Sequence, residues 1–262
     1  MIAETFDTDR TAVIEPSMIV QPIPGFPKVA VTCFSKVTFD RLCADLAAEP
    51  MQDALTGNAN GEQPVFKASW HGRDYALFLS AVGAPSCIGR LEDIAVFGAE
   101  TFVIFGTCGV LDRTIADCGV MLPTAAVRDE GTSYHYAPPS DEIAVNVGTL
   151  PAARAVLDAL GVLYTAGKVW TTDGFYRETR GLVERRKAEG CLCVDMECSA
   201  VAAWATFRQK RVLQYFYAGD NLDAEVWEPR SLGNDKRLAD KDRIAYLAMA
   251  MAEKLYETEE QA

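Results

Sequence analysis

The hydrophobic positions near the start of the chain predict an alternation of strands and a helix. Residues 28–34 form a short β-branched run typical of a strand, and apolar residues at helical spacing follow from Phe39 to Ala47. Residues 65–70 and 75–82 flank the turn His71-Gly72, which predicts two paired strands. The chain is therefore expected to begin with a strand, a helix and two further strands.

The middle of the chain has the pattern of a strand, helix and strand unit. Gly83-Ala84-Pro85-Ser86 suits the first turn of a helix, and the helical pattern runs to about Gly98. Residues 101–105 form a continuous apolar run, as in strands buried on both faces. Further strands are predicted at 120–127, 166–171, 191–196 and 212–218, and further helices at 199–207 and 241–255. We predict an α/β fold with helices around a central mixed sheet.

The first 27 residues differ from the rest of the chain. They have no clear period and contain Pro16, Pro22, Pro24 and Pro27, which remove backbone donors and restrict the preceding residues. We expect an extended N-terminal arm at 1–27 and one domain at 28–262. A chain of 262 residues can bury a large core without disulfides or structural metal.

Charge and cysteine usage narrow the class of ligand. The chain has 25 Lys plus Arg against 37 Asp plus Glu, a net charge of −12, which disfavours nucleic acids and anionic membranes as partners. No apolar run reaches the roughly 18 to 20 residues that span a bilayer, and the N-terminus carries acids, so a cytoplasmic protein is expected.

The eight cysteines predict buried thiols. With two histidines and only Cys191 and Cys193 closely spaced, no zinc site is expected.

Four segments at predicted strand ends are candidates for a ligand site. They are residues 81–86, 105–109, 194–198 and 217–222. Ligands of α/β sheets bind beyond the carboxyl ends of the strands. The two glycine-containing segments match neither the phosphate loop nor the dinucleotide fingerprint, and tight packing of a strand on a helix is their structural alternative.

Two carboxylates and two rings in these regions each allow a structural or a functional interpretation. Glu197 either caps a helix or accepts two hydrogen bonds from a vicinal diol such as ribose. Asp220 either caps a helix or forms a turn or, when partly desolvated, holds a proton for general acid catalysis, with Asp223 as the competing candidate. Phe175-Tyr176 either fills the core beneath a loop or stacks on a flat heterocycle.

Five short motifs occur together in one order. They are Gly83-Ala84-Pro85-Ser86-Cys87, Phe105-Gly106-Thr107-Cys108-Gly109, Thr172-Asp173-Gly174-Phe175-Tyr176, Val194-Asp195-Met196-Glu197 and Gly219-Asp220. With these motifs the chain, from about Lys28 to Leu255, resembles the nucleoside phosphorylase family, which includes bacterial uridine phosphorylase, hexameric purine nucleoside phosphorylase and methylthioadenosine nucleosidase. The resemblance implies that family's single-domain fold, in which the central mixed sheet forms a partly closed barrel. It also implies a homo-oligomer (a dimer or a hexamer) and no metal or organic cofactor, with phosphate as co-substrate.

The resemblance also implies roles for individual residues. Glu197 would hold the 2′ and 3′ hydroxyls of ribose with Met196 against the sugar, Phe175 would pack on the base, and Thr107 would touch ribose and the nucleophile. Asp220 is similar to the catalytic acid that protonates a leaving purine at N7. The substrate-binding residues implied in this way are Thr107, Cys108, Gly109, Phe175, Tyr176, Met196 and Glu197.

The phosphate-binding positions depart from the family pattern. Ile104 stands where the family carries an arginine, and residues 32–36 replace its first-strand loop. We expect Thr107 and Lys36 to bind phosphate, with Arg41 or Lys67 as alternatives. Phosphorolysis of a nucleoside to free base and ribose 1-phosphate is the first prediction, and hydrolysis by water or nucleoside binding without turnover are the alternatives. The base preference stays open, because residues 177–186, which would read it, are the least family-like.

Overall fold

The computed structural model describes residues 5–59 and 61–259, which form an α/β fold. Its strands are β1 (Val29–Cys33), β2 (Glu49–Asn58), β3 (Gly61–Trp70), β4 (Arg73–Leu79), β5 (Thr101–Val110), β6 (Val120–Asp129), β7 (Glu142–Ala144), β8 (Tyr164–Thr172), β9 (Cys191–Asp195) and β10 (Arg211–Asn221). Its α-helices are α1 (Lys36–Asp45), α2 (Ala84–Phe97), α3 (Leu150–Ala159), α4 (Arg180–Ala188), α5 (Cys198–Arg208) and α6 (Leu238–Glu259).

The strands form one mixed sheet that closes on itself at one side. Their order is β10-β6-β8-β9-β5-β1-β4-β3-β2, and β10 also pairs with β5, so five strands make a closed ring. Strands β1, β4, β5 and β10 are parallel neighbours in this arrangement, while β9 pairs with β5 in the antiparallel sense. The predicted mixed, partly closed sheet is confirmed.

Strand β5 shows why the sheet is covered on both faces. Its residues alternate in direction, as in any strand, so Val103 and Phe105 pack in the core that holds α6, whereas Phe102 and Ile104 pack against Trp204 of α5. All four side chains are buried. A strand that is apolar on both faces must lie between two layers of helices, and this fixes β5 in the centre of the molecule.

The predicted ends of two strands are wrong, and some elements were not predicted. The strands predicted to end at 105 and 218 are longer, since β5 continues to Val110 and β10 to Asn221 because the two pair in parallel along their whole length. Asp220 therefore lies inside a strand, at a register shift between Ala218 and Asp220. The elements β2, β7, α3 and α4 were not predicted, and α4 occupies most of the expected loop at 177–186.

The N-terminal segment contacts the domain within the described residues. A short 3₁₀ helix spans Pro16–Met18, and the amide of Ile23 donates to the carbonyl of Phe97 at 3.0 Å.

All eight cysteines are free thiols and seven are buried, as expected. Within 5–59 and 61–259, no helix has both the length and the apolar character needed to cross a membrane.

Candidate functional site

A cavity of about 830 Å³ opens where the parallel strands β1, β4, β5 and β10 end. Its walls include the second half of β5, the end of β9 and the bulged end of β10, three elements distant in sequence. The structure brings to this cavity Thr107, Cys108, Gly109, Phe175, Tyr176, Met196, Glu197 and Asp220. Every substrate-binding or catalytic position implied by the motifs therefore lies at one place, with the phosphate position Lys36 as the exception.

The glycines of β5 allow close packing at the cavity wall. A Cβ atom at Gly109 would lie 2.4 Å from the Leu222 side chain and 3.2 Å from Oδ1 of Asp220. A Cβ atom at Gly106 would lie 2.8 Å from the ring of Phe34. A side chain at either position would force Leu222 or Phe34 to shift, so the two glycines allow these side chains and Asp220 to pack this closely against β5.

Glu197 occupies the N-terminal position of α5, but its side chain does not cap the helix. The cap is supplied by Asp195, whose Oδ2 accepts from the amides of Glu197 at 3.0 Å and Cys198 at 2.7 Å. Oε1 of Glu197 instead accepts from the amide of Gly83, at 2.6 Å, at the start of α2. The capping interpretation of Glu197 is therefore wrong, and its carboxyl points to the cavity.

A buried network fixes the carboxyl that does the capping. Thr171 Oγ1 donates to Asp195 at 2.8 Å and accepts from the amide of Ser199 at 3.1 Å, and Ser199 Oγ donates to Glu130 at 2.9 Å. Burial, followed by the nearby charge of Asp195, raises the pKa of Glu197 above its ordinary value. The start of α5, and with it Glu197, is thus held by side chains from β8 and β9.

Asp220 and its competitor Asp223 lie in opposite electrostatic environments. Asp220 is 8% exposed, lines the cavity, and has a pKa raised by burial against the opposing effects of Trp227 and Arg230. Asp223 accepts from Lys187 and from the Arg113 side chain, which lower its pKa to about 2, and it is not in the cavity wall. A raised pKa favours a carboxyl as a proton donor, so Asp220 has the better environment for general acid catalysis of these two residues.

The two adjacent rings stand at the rim of the cavity. Phe175 and Tyr176 form part of a 3₁₀ turn, with ring centroids 4.1 Å apart. Their exposed fractions are 49% and 89%, so they do not fill a core beneath a loop. Exposed aromatic rings beside a cavity are suited to packing on a planar ligand.

Several residues of the cavity wall were given no role by the sequence argument, among them Glu178, Arg180 and Trp227. Glu178 and Arg180 lie in the stretch that was expected to read the base, where no residue was assigned a contact with it. Trp227 follows β10 in a segment without a clear period, so no sequence pattern marks it. Arg180 is held by the backbone, since Nη1 donates to the Leu222 carbonyl at 2.9 Å and Nη2 to the Ala224 carbonyl at 2.6 Å.

The basic residues expected at the phosphate are elsewhere. Lys36 pairs with Asp40 at 2.5 Å, Arg41 with Asp242 at 2.5 Å and Lys67 with Asp74 at 3.4 Å. None of the three is in the cavity wall, so the expectation that Lys36 binds phosphate there is not supported. Ile104 is buried in the core against α2 and α5, and among the described wall residues Arg180 is the basic one.

Comparisons of the sequence and of the structure with known proteins all find phosphorylases. The family model described as Phosphorylase superfamily matches residues 28–252. The guanosine phosphorylase of Halorubrum lacusprofundi is 27% identical over 167 residues, which cover 62% of this chain and 67% of the relative. A DeoD-type purine nucleoside phosphorylase of Shewanella oneidensis is 27% identical over 192 residues, or 72% of this chain and 80% of the relative. The crystal structure of uridine phosphorylase from Vibrio fischeri superposes with a TM-score of 0.74 at 22% identity, covering 94% of this chain and 99% of that one, and shares the fold.

Proposed function

This chain belongs to the phosphorylase superfamily, and on that premise we propose that it cleaves the N-glycosidic bond of a purine nucleoside, with phosphate as the acceptor. The observation that carries the proposal is the presence of two different buried carboxyls, Glu197 and Asp220, in one cavity. The side chain of Glu197 does not cap its own helix, and burial raises the pKa of Asp220, which favours its protonated form. The exposed rings of Phe175 and Tyr176 complete a wall suited to a flat base.

The chemistry assigns one task to each carboxyl. In the proposal, Glu197 accepts hydrogen bonds from the vicinal hydroxyls of ribose and holds the sugar as positive charge develops at C1′. Asp220 donates a proton to N7 of the purine, so that the base leaves as a neutral molecule. The bond between C1′ and N9 breaks as the acceptor oxygen bonds to C1′ from the opposite face. The products are the free purine and ribose 1-phosphate.

Phosphate is the first candidate acceptor because the similar curated proteins are phosphorylases. Water is the second candidate, and it is favoured by the charges of the cavity wall. The described wall contains the four carboxyls of Glu178, Asp195, Glu197 and Asp220, whereas its basic residue Arg180 is bound to two carbonyls. A multiply charged anion needs hydrogen-bond donors to replace its hydration, and these side chains do not provide them.

The proposal extends to a homo-oligomer that uses the N-terminal arm. Val13, Ile14 and Ile19 leave 95%, 69% and 72% of their surfaces exposed to solvent. Exposed apolar patches of this kind mark sites of protein–protein interaction. A second copy that covers them could also bring cations to the cavity. Light scattering of the full chain, compared with Ile14→Ser, tests this part of the proposal separately from activity.

Product analysis tests the reaction and the acceptor together. We expect base release from purine nucleosides to depend on phosphate concentration and to yield ribose 1-phosphate. Base release that is unchanged without phosphate and yields free ribose would establish water as the acceptor. No base release from any purine or pyrimidine nucleoside, with the nucleoside still bound, would leave only a binding protein.

The matched control is the second acid of the same segment. Asp223→Asn removes a carboxyl three residues from Asp220 that is outside the cavity wall, so we expect near-normal turnover. This variant breaks the contacts with Lys187 and Arg113 and should lower thermal stability instead. Asp220→Asn should show the reverse pattern.

A further inference from the structure

Glu178 is the acid of the cavity wall that lacks a partner. Its half-buried side chain makes no hydrogen bond or ion pair with any described residue, whereas the other acids of the wall each accept at least one hydrogen bond. No ion pair joins Glu178 to the neighbouring Arg180, whose terminal nitrogens donate to the carbonyls of Leu222 and Ala224. A carboxyl that is desolvated without donors is costly, so its presence requires an explanation.

The position of Glu178 links it to the base end of the cavity. It directly follows the 3₁₀ turn that carries Phe175 and Tyr176, the rings suited to packing on a base. Glu178 and Asp220 line the same cavity, and burial, followed by the charge of Asp220, raises the pKa of Glu178 to about 7. The carboxyl of Glu197, the proposed ribose ligand, instead accepts from the amide of Gly83.

We propose that Glu178 determines base specificity by accepting two hydrogen bonds from the ring N1–H and the 2-amino group of guanine. This inference rests on the proposed function and names its substrate class, the 2-amino-6-oxopurine nucleosides. The two oxygens of a carboxylate match two adjacent donors, and such paired bonds are stronger than those between neutral groups.

Other bases fit this group less well. Hypoxanthine keeps the N1–H donor but lacks the 2-amino group, and adenine presents an acceptor at N1. Uracil presents a single N–H between two carbonyl oxygens, which would face the carboxylate with like partial charge. Guanine carries N7 on the opposite edge from N1 and the 2-amino group, so one base can meet both Asp220 and Glu178.

The test compares guanosine with inosine, which differ only in the 2-amino group. Only guanosine has a 2-amino group that can donate a charge-assisted hydrogen bond to Glu178. We therefore expect kcat/KM of the unmodified protein to favour guanosine over inosine by about 10-fold or more. In Glu178→Gln this preference should fall to within about threefold, because an amide cannot accept from both donors. Glu184→Gln is the matched control, since Glu184 is an exposed acid on the neighbouring helix α4 and is outside the cavity wall. It should keep the full preference.

The outcomes separate this inference from the proposed function. Equal use of guanosine and inosine, or a preference that survives Glu178→Gln, overturns the role of Glu178. Cleavage of adenosine or uridine but not guanosine also overturns it and leaves N-glycosidic cleavage standing. If no nucleoside is cleaved, the proposed function fails, and Trp227 fluorescence then decides whether guanosine binds at least 10-fold more tightly than inosine. Equal binding in that experiment would likewise reject the inference.

Discussion

The indole N–H of Trp227 donates a 2.7 Å hydrogen bond to Oδ2 of Asp220. A half-exposed ring from the segment after β10 is thereby tied to a nearly buried acid of the cavity. The two effects on this acid oppose each other, because burial favours its neutral form whereas a donor favours its ionised form. The pKa of Asp220 is therefore raised by its surroundings but restrained by Trp227.

If Asp220 protonates the leaving base, its removal should affect only substrates that need that proton. Asp220→Asn should lower kcat for purine nucleosides by about 10² to 10⁴, the usual range for general acid catalysis. With 7-methylguanosine the loss should be below about tenfold, because the base already carries a positive charge and leaves without protonation. Rates of base release for both substrates make the measurement, and an equal loss on both would assign Asp220 a positioning role.

Trp227→Phe tests the restraint on that acid. Loss of the N–H donor removes stabilisation of the carboxylate, so the pKa of Asp220 should rise. Since the protonated form is the active one, the decline of kcat at high pH should move to higher pH. The pH profile of kcat for a purine nucleoside is the measurement. The same substitution in the Asp220→Asn background should cause no such shift, and an unmoved profile in the single variant would limit Trp227 to packing.

Glu197→Gln tests the sugar contact. The amide keeps the shape of the side chain but weakens hydrogen bonds to ribose, which for a charged acceptor are worth about 1.5 to 3 kcal/mol. We expect kcat/KM on ribonucleosides to fall at least tenfold, and to fall less on 2′-deoxynucleosides, which lack one of the hydroxyls. If both substrate classes lose equally, Glu197 acts on the arrangement of the Gly83 segment and not on the sugar.

Glu178 should make the folded state less stable as the pH rises. Its pKa is raised in the folded protein from 4.5 to about 7, so the folded state binds more protons than the unfolded state between these values. The free energy of unfolding therefore falls across this window, and the deficit is complete above about pH 7. Glu178→Gln should increase stability at pH 8 by about 1 kcal/mol after allowance for solvent screening, with little change at pH 4. Denaturant unfolding at both values measures this, and a gain that is equal at both would exclude ionisation as its cause.

Elements formed by neighbouring residues could be predicted from the sequence. The first strand, helix α1, the β3–β4 hairpin and helix α2 were placed correctly, because apolar period and turn residues are local properties. The candidate site was found in outline through its motifs, and the predicted positions that line the cavity belong to them. Helix α4 was missed, because its residues are mostly polar and only Val183 is buried, which leaves little apolar pattern.

The sequence by itself determined which groups the protein carries and where most strands and helices lie, and tertiary structure decided what the groups do. Asp195 and not Glu197 caps α5. Lys187 and Arg113 donate hydrogen bonds to Asp223, whereas Asp220 lines the cavity. Each outcome depends on donors that are distant in sequence, and hydrogen bonding and desolvation are fixed only when those donors meet in space. The same reason separates Glu178, left without a donor, from the many ordinary surface acids that the sequence alone cannot tell apart.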